Sequence, residues 1–377
     1  MKRIILAAIA VLVAINAVGT GRTVKETTTP ASDSRITWVG RTLKTGSDVS
    51  FDWSGVYARI SFEGCYFAMR ASDSNKNYYN VWIDKDMAEA PDKIIRTQGK
   101  DSLIVIFNES EIKAVSGRNP ATRHNLIIQK RTEGSQGRTT IHSFITKGQI
   151  LQAGGLKSRQ IEFIGDSYTC GYGSENSKAK DPFTPETENC NKSYAPIVAR
   201  FFDADFAIVA HSGMGIARNY NDANKDNYMP DRYLQTFDMD SSVKWIGTDN
   251  DFRPQISVIY LGTNDFSVKR QPSIKNFRDN YIRLINSIKA NYGDEHPVLC
   301  VGSRIDELMY YYLKEVVSAC GMHNVSYMVF SEKIHNDDTE LGASWHPNYK
   351  GHIKKAFAVI PYISTITGWD IETEAVR

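Results

Sequence analysis

At 377 residues the chain is long enough for two full hydrophobic cores. A hydrophobic share of 41% and a charged share of 23% belong to an ordinary globular protein. A formal net charge of +2 with no Lys/Arg-rich block excludes a nucleic-acid footprint, and five scattered cysteines exclude a disulfide scaffold.

Met1-Lys2-Arg3 precedes an apolar stretch over 4–18, with small residues at Ala17-Val18-Gly19, after which the chain turns polar. A basic start and an apolar run shorter than the roughly 20 residues of a membrane span predict a secretory signal over 1–19. The mature chain is then expected to be periplasmic or secreted, with a retained anchor as the alternative and no membrane partner.

The first half reads as strands. Segments 35–39, 50–53, 57–62, 66–70, 78–83, 102–106, 125–129 and 139–144 are rich in β-branched and aromatic residues, separated by turn residues and free of helical periodicity. They predict an antiparallel β-sandwich of jelly-roll type over 20–155. Segment 148–158, with Gly154-Gly155, reads as a linker. Cys65 reads as a small core residue. Cys170 and Cys190 could pair in an oxidising compartment or remain buried thiols, and no Cys or His spacing points to zinc.

From 156 to 377 the pattern becomes strand–helix alternation. Apolar strands are expected at 160–164, 205–210, 256–262, 297–302 and 325–330, and helices at 194–202, 274–292, 305–320 and 349–363. Such alternation predicts an α/β/α domain around a parallel sheet, whose chemistry collects at the carboxyl ends of the strands.

Three motifs fall at such ends. Gly165-Asp166-Ser167-Tyr168 closes the first strand and raises a serine hydroxyl beside backbone N–H groups that can hold an oxyanion. Tyr260-Leu261-Gly262-Thr263-Asn264-Asp265 closes the third, and Trp345-His346-Pro347 follows the last. A serine nucleophile needs a base, and His346 is held at the same edge as Ser167. His211, after the second strand, is the rival base; His352 reads as a packing or capping residue, and His124, His142 and His296 fall elsewhere. Asn264 carries two side-chain N–H groups for an oxyanion, Asp265 reads as a brace for its loop, and Gly213 or Gly215 could bring up a backbone N–H.

In chain order, Gly165-Asp166-Ser167-Tyr168, Ser212-Gly213-Met214-Gly215, Gly262-Thr263-Asn264-Asp265 and Trp345-His346-Pro347 resemble the blocks of the SGNH (GDSL-like) hydrolases. The extended first block through Cys170-Gly171-Tyr172-Gly173, with a β-sandwich in front, is similar to carbohydrate esterase family 2. The resemblance implies a cofactor-free, metal-free serine esterase acting on acetylated plant polysaccharides such as xylan or glucomannan, with Ser167 as nucleophile and His346 as base. It places the Ser167 N–H, Gly213 and Asn264 in the oxyanion hole. Tyr168 and Trp345, with Tyr172 and Tyr220, are the aromatics suited to stacking on sugar rings. A lipase- or thioesterase-type hydrolase and a non-catalytic carbohydrate-binding protein are the alternatives. Most members of the superfamily carry Asp three residues before the histidine, where this chain has Ala343. A backbone carbonyl is therefore the expected partner of the second imidazole nitrogen, with Asp337 or Asp338 as alternatives.

Overall fold

Two sheets of opposite character follow one another along the chain. The computed structural model describes residues 25–371, apart from 117–121, 224, 248–249, 304–307, 332–333 and 336. The expected signal over 1–19 lies outside the described residues.

The first sheet is built from β1 (Glu26–Pro30), β2 (Thr37–Val39), β3 (Leu43–Thr45), β4 (Asp48–Phe51), β5 (Tyr57–Ile83), β6 (Lys93–Phe107), β7 (Arg123–Lys130) and β8 (Thr139–Leu151), with α1 (Glu109–Ser116) after β6. All its pairings are antiparallel. The three strands expected between 57 and 83 are one continuous strand, β5, bent at the register shifts between Gly64 and Phe67 and around Asp73. Its first and last stretches both pair with β7, Tyr57 and Asn80 each facing Gln129. Alternate side chains of β4, β5, β7 and β8 meet in a core that includes Val49, Phe51, Ile60, Phe62, Val81, Leu126 and Phe144. The expected linker begins later than its glycines suggest, because β8 carries Gly148 opposite Gly64 and runs on to Leu151.

The second sheet is wholly parallel. It comprises β9 (Gln160–Gly165), β10 (Asp205–Ala210), β13 (Ile256–Tyr260), β14 (Val298–Gly302) and β15 (Val325–Val329), in the order β10-β9-β13-β14-β15. Every residue of β9, β10, β13 and β14 is buried, as a sheet covered on both faces requires. The helices are α2 (Ser167–Cys170), α3 (Tyr194–Phe201), α4 (Met229–Arg232), α5 (Ile274–Tyr292), α6 (Leu308–Cys320) and α7 (Tyr349–Thr367). α3 and α7 cover one face through Val198, Val359 and Ile363, and α5 and α6 the other through Leu284, Ile288 and Leu313. A short hairpin, β11 (Gln235–Phe237) with β12 (Asp240–Lys244), follows α4.

Strand order reverses between β9 and β13: the chain steps from β9 outward to β10, then returns to the other side. That crevice at the carboxyl edge is where an open parallel sheet receives a ligand. Polar bridges bind the halves together. Arg59 forks onto Asp205 with both contacts at 2.8 Å, and the buried Arg41 reaches Glu162 at 3.1 Å.

Candidate active site

Ser167, Gly213 and Asn264 leave the ends of β9, β10 and β13, three adjacent strands. At the first, a Cβ on Gly165 would stand 1.9 Å from Thr169 Oγ1, so glycine alone lets the next turn fold back over the strand. Asp166 caps that turn by accepting the Tyr168 N–H at 3.0 Å. Ser167 Oγ then lies 2.8 Å from His346 Nε2.

His346 arrives from the far side of the sheet, on the segment between β15 and α7. Ser344 and Trp345 both adopt the left-handed region, with φ of 51° and 60°. This turn directs two backbone carbonyls at the imidazole: Nδ1 stands 3.1 Å from Ser344 O and 3.2 Å from Ala343 O. Nδ1 therefore carries the proton and Nε2 accepts from the serine. Asp337 and Asp338 are exposed, and Asp337 accepts the Thr339 N–H instead. The expected backbone partner is the one present. α7 begins at Tyr349, where the sequence places it, with Asn348 as its cap.

The segment after β10 is set by three carboxylate contacts. Asp265 accepts the N–H groups of Ile216, Ala217 and Arg218 at 2.9, 2.7 and 2.9 Å, which pins the segment after β10. Gly215 N–H is taken by Asn219 Oδ1. Gly213, at φ of 83°, has a backbone N–H with no acceptor among the described residues, and so has Ser167. Of the two glycines the sequence left open, Gly213 is the one with a donor to offer. Asn264 is buried between these groups, its Nδ2 donating to Met214 O at 2.8 Å and Asp166 Oδ2 at 3.1 Å.

Burial governs the electrostatics. It raises the carboxyl of Asp166 to about 7, countered by the Tyr168 N–H and by Lys355. It raises Asp265 to about 7 against its three N–H donors. Burial lowers Lys355 to about 7, with Asp166 opposing. The lysine Nζ donates to Tyr260 Oη at 2.9 Å and lies over the rings of Phe330, Tyr168 and Tyr260. His346 is itself lowered by burial, against the two carbonyls and the charge of Glu133.

Aromatic rings frame the imidazole. Tyr172 lies 4.4 Å from it, centroid to centroid, and is itself stacked on Phe183 at 3.9 Å. Tyr168 approaches edge-on at 5.3 Å with its other face on Tyr260. Tyr168 thus packs against the imidazole, whereas Trp345 and Tyr220 stand 59% and 62% exposed. The rival base His211 is bound through Nδ1 to Asp238 at 2.6 Å. His352 is buried and accepts the Tyr194 N–H at the start of α3. Cys170 and Cys190 are both free and buried. Among the described residues one group has the side chains to surround an ion, the buried Glu133, Cys170 and Glu188, whose ligand atoms lie within 4.8 Å of one another. Nothing in the sequence singled out Glu133, Phe183 or Lys355.

Residues 161–358, more than half of the chain, match the family model of the GDSL-like lipases/acylhydrolases. The chain belongs to that family. In front of this stretch, residues 38–153 match the N-terminal domain of carbohydrate esterase 2, the branch of GDSL-like hydrolases this chain most resembles. It is 33% identical over 323 residues to the cellulase/esterase CelE of Acetivibrio thermocellus, covering 84% of this chain and 38% of that protein. An acetylxylan esterase/glucomannan deacetylase of Cellvibrio japonicus is 27% identical over 314 residues, 79% of this chain and 81% of the relative. A family two carbohydrate esterase from Clostridium thermocellum, solved in complex with cellohexaose, superposes on this GDSL-like hydrolase with a TM-score of 0.79 at 29% identity, covering 89% of this chain and all of that one.

Proposed function

We propose that this chain is an exported serine esterase that removes O-acetyl groups from plant cell-wall polysaccharides. The observation that carries the reading is the 2.8 Å contact between Ser167 Oγ and His346 Nε2, with two backbone N–H groups, those of Ser167 and Gly213, that have no acceptor among the described residues. The acetylxylan and glucomannan activities of the Cellvibrio relative supply the substrate class. We assign 20–155 to a jelly-roll sandwich and 156–377 to the catalytic domain, with 1–19 as the export signal. Among the described residues no helix is long and apolar enough to cross a membrane.

Ser167 Oγ adds to the acetyl carbonyl carbon while its proton passes to His346 Nε2. The developing oxyanion takes the Ser167 and Gly213 N–H groups and an Asn264 side-chain N–H. The carbon–oxygen bond to the sugar then breaks, and Nε2 returns the proton to the departing sugar oxygen. Water repeats the addition on the acetyl-enzyme, again through His346, and acetate leaves. Trp345, with the edge of Tyr168, forms the wall against which a sugar ring rests.

Acetate release from acetylated xylan and acetylated glucomannan, beside fatty-acid release from a long-chain acyl ester, tests the assignment. Turnover on the acetylated glycans that exceeds turnover on the long-chain ester supports it. The reverse preference would make the chain a lipid-directed hydrolase, and no turnover on any of them a binding protein.

A further inference from the structure

Glu133 belongs to the N-terminal half, in the turn after β7, yet its carboxylate ends at the catalytic edge. Oε2 accepts the backbone N–H of Ser212 at 2.7 Å, and Oε1 accepts Ser135 Oγ at 2.8 Å. The side chain is buried, within 4.8 Å of Cys170 at the end of the helical turn that Ser167 opens. Ser212 is the residue before Gly213. One carboxylate therefore touches the turn that offers the Gly213 N–H and lies against the turn that carries the nucleophile.

We infer that Glu133 is a positioning residue through which the N-terminal half sets the oxyanion cradle: by clamping Ser212, it fixes where the Gly213 N–H stands relative to Ser167. The inference rests on the assignment of Ser167 and Gly213 made above. A short, charge-assisted bond in a water-poor site suits this task, because an anion holds an N–H more firmly than a neutral acceptor does. Several charged and titratable groups surround this turn. Lys130 Nζ donates to the Glu133 carbonyl oxygen at 2.9 Å. His211 lies on the clamped turn, held by Asp238, which also binds Arg232. Glu188 and Cys170 face it from the catalytic half. The same charge reaches His346, where it favours the imidazolium; the other groups facing that ring are the Ser344 and Ala343 carbonyls, Tyr168, Tyr172 and the charge of Lys355.

The test uses the full chain with Glu133→Asp, Glu133→Gln and Ser135→Ala, assayed on 4-nitrophenyl acetate across pH, with thermal unfolding as the folding control. Glu133→Asp keeps the charge but withdraws it by one methylene, so kcat should fall about ten- to a hundredfold with KM unchanged. Glu133→Gln keeps an oxygen for Ser212, so its kcat should fall less. With the anion gone the imidazolium loses support, and the acid limb of kcat/KM should move to lower pH. Ser135→Ala, which frees one carboxylate oxygen, should cost a smaller part of kcat. Wild-type kcat and an unmoved acid limb in both Glu133 variants, or a change in KM or unfolding temperature alone, would overturn the inference. Ser167→Ala in the same assay separates the two readings. If it still turns over, the site itself is misassigned; if it is inactive while the Glu133 variants behave as wild type, only the role of Glu133 falls.

Discussion

His346 Nδ1 stands 3.1 Å from the carbonyl oxygen of Ser344. The imidazole of the proposed base is thus oriented by a backbone dipole where a carboxylate is usual. Alanine at Asp337 or Asp338 is expected to leave kcat within about tenfold, against the roughly 10⁴ lost when the aspartate of a triad is neutralised. Steady-state kinetics of the two variants decide it, and a loss near the larger figure would restore a triad.

Ser167→Ala removes the proposed nucleophilic oxygen. Turnover should fall by about 10⁵–10⁶, while the unfolding temperature stays near wild type. More than a few per cent of residual activity would mean that a different serine attacks.

Asn264→Ala should lower kcat by roughly 10²–10³ with little change in KM, since an oxyanion draws on the amide only as charge develops. Because Nδ2 also serves Asp166 and Met214, an unfolding measurement must accompany the kinetics. A rise in KM at constant kcat would make Asn264 a ground-state contact.

The pH profile should report the buried cation. With His346 as the proposed base, activity needs its neutral form, and burial holds that imidazole below its ordinary 6.5, so the acid limb of kcat/KM should fall below that pH. Lys355, lowered to about 7, is charged across that limb and disfavours a second positive charge nearby. Lys355→Met removes the repulsion, the imidazole pKa rises, and the acid limb should move to higher pH. An unmoved limb, or one displaced downward, would show that Lys355 does not act on the base.

Much of the catalytic half could be read directly. Its strands are continuous apolar runs that end in Gly-Asp-Ser or Gly-Thr-Asn-Asp, and α5 begins and ends where its 3.6-residue period does. Chemistry at strand ends follows from topology, so Ser167, Gly213, Asn264 and His346 could be grouped before any distance was known. The β-half was less legible. β1, with the sequence Glu-Thr-Thr-Thr-Pro, and the three-residue β3 lack an apolar signal. The bends in β5 look like turns because Gly64 and the polar 72–77 stretch interrupt the alternation. Glu133 and Lys355 escaped notice for a different reason: an isolated Glu or Lys reads as solvated surface, and only tertiary packing turns it into a buried charge beside the imidazole. Phe183 matters through its stacking on Tyr172, a pairing no local pattern announces.

β10 is the outermost strand of the parallel sheet, yet all six of its residues are buried. The N-terminal half accounts for this: Tyr57 packs on Phe206 with ring centroids 5.4 Å apart, and the chain at Gly55 leaves no room beyond Ile208. A catalytic half released from that cover would present an apolar strand with an open hydrogen-bonding edge, the surface through which sheets add to one another. Shortening the chain to its catalytic half should therefore produce aggregates, seen by size-exclusion chromatography, rather than a smaller soluble monomer.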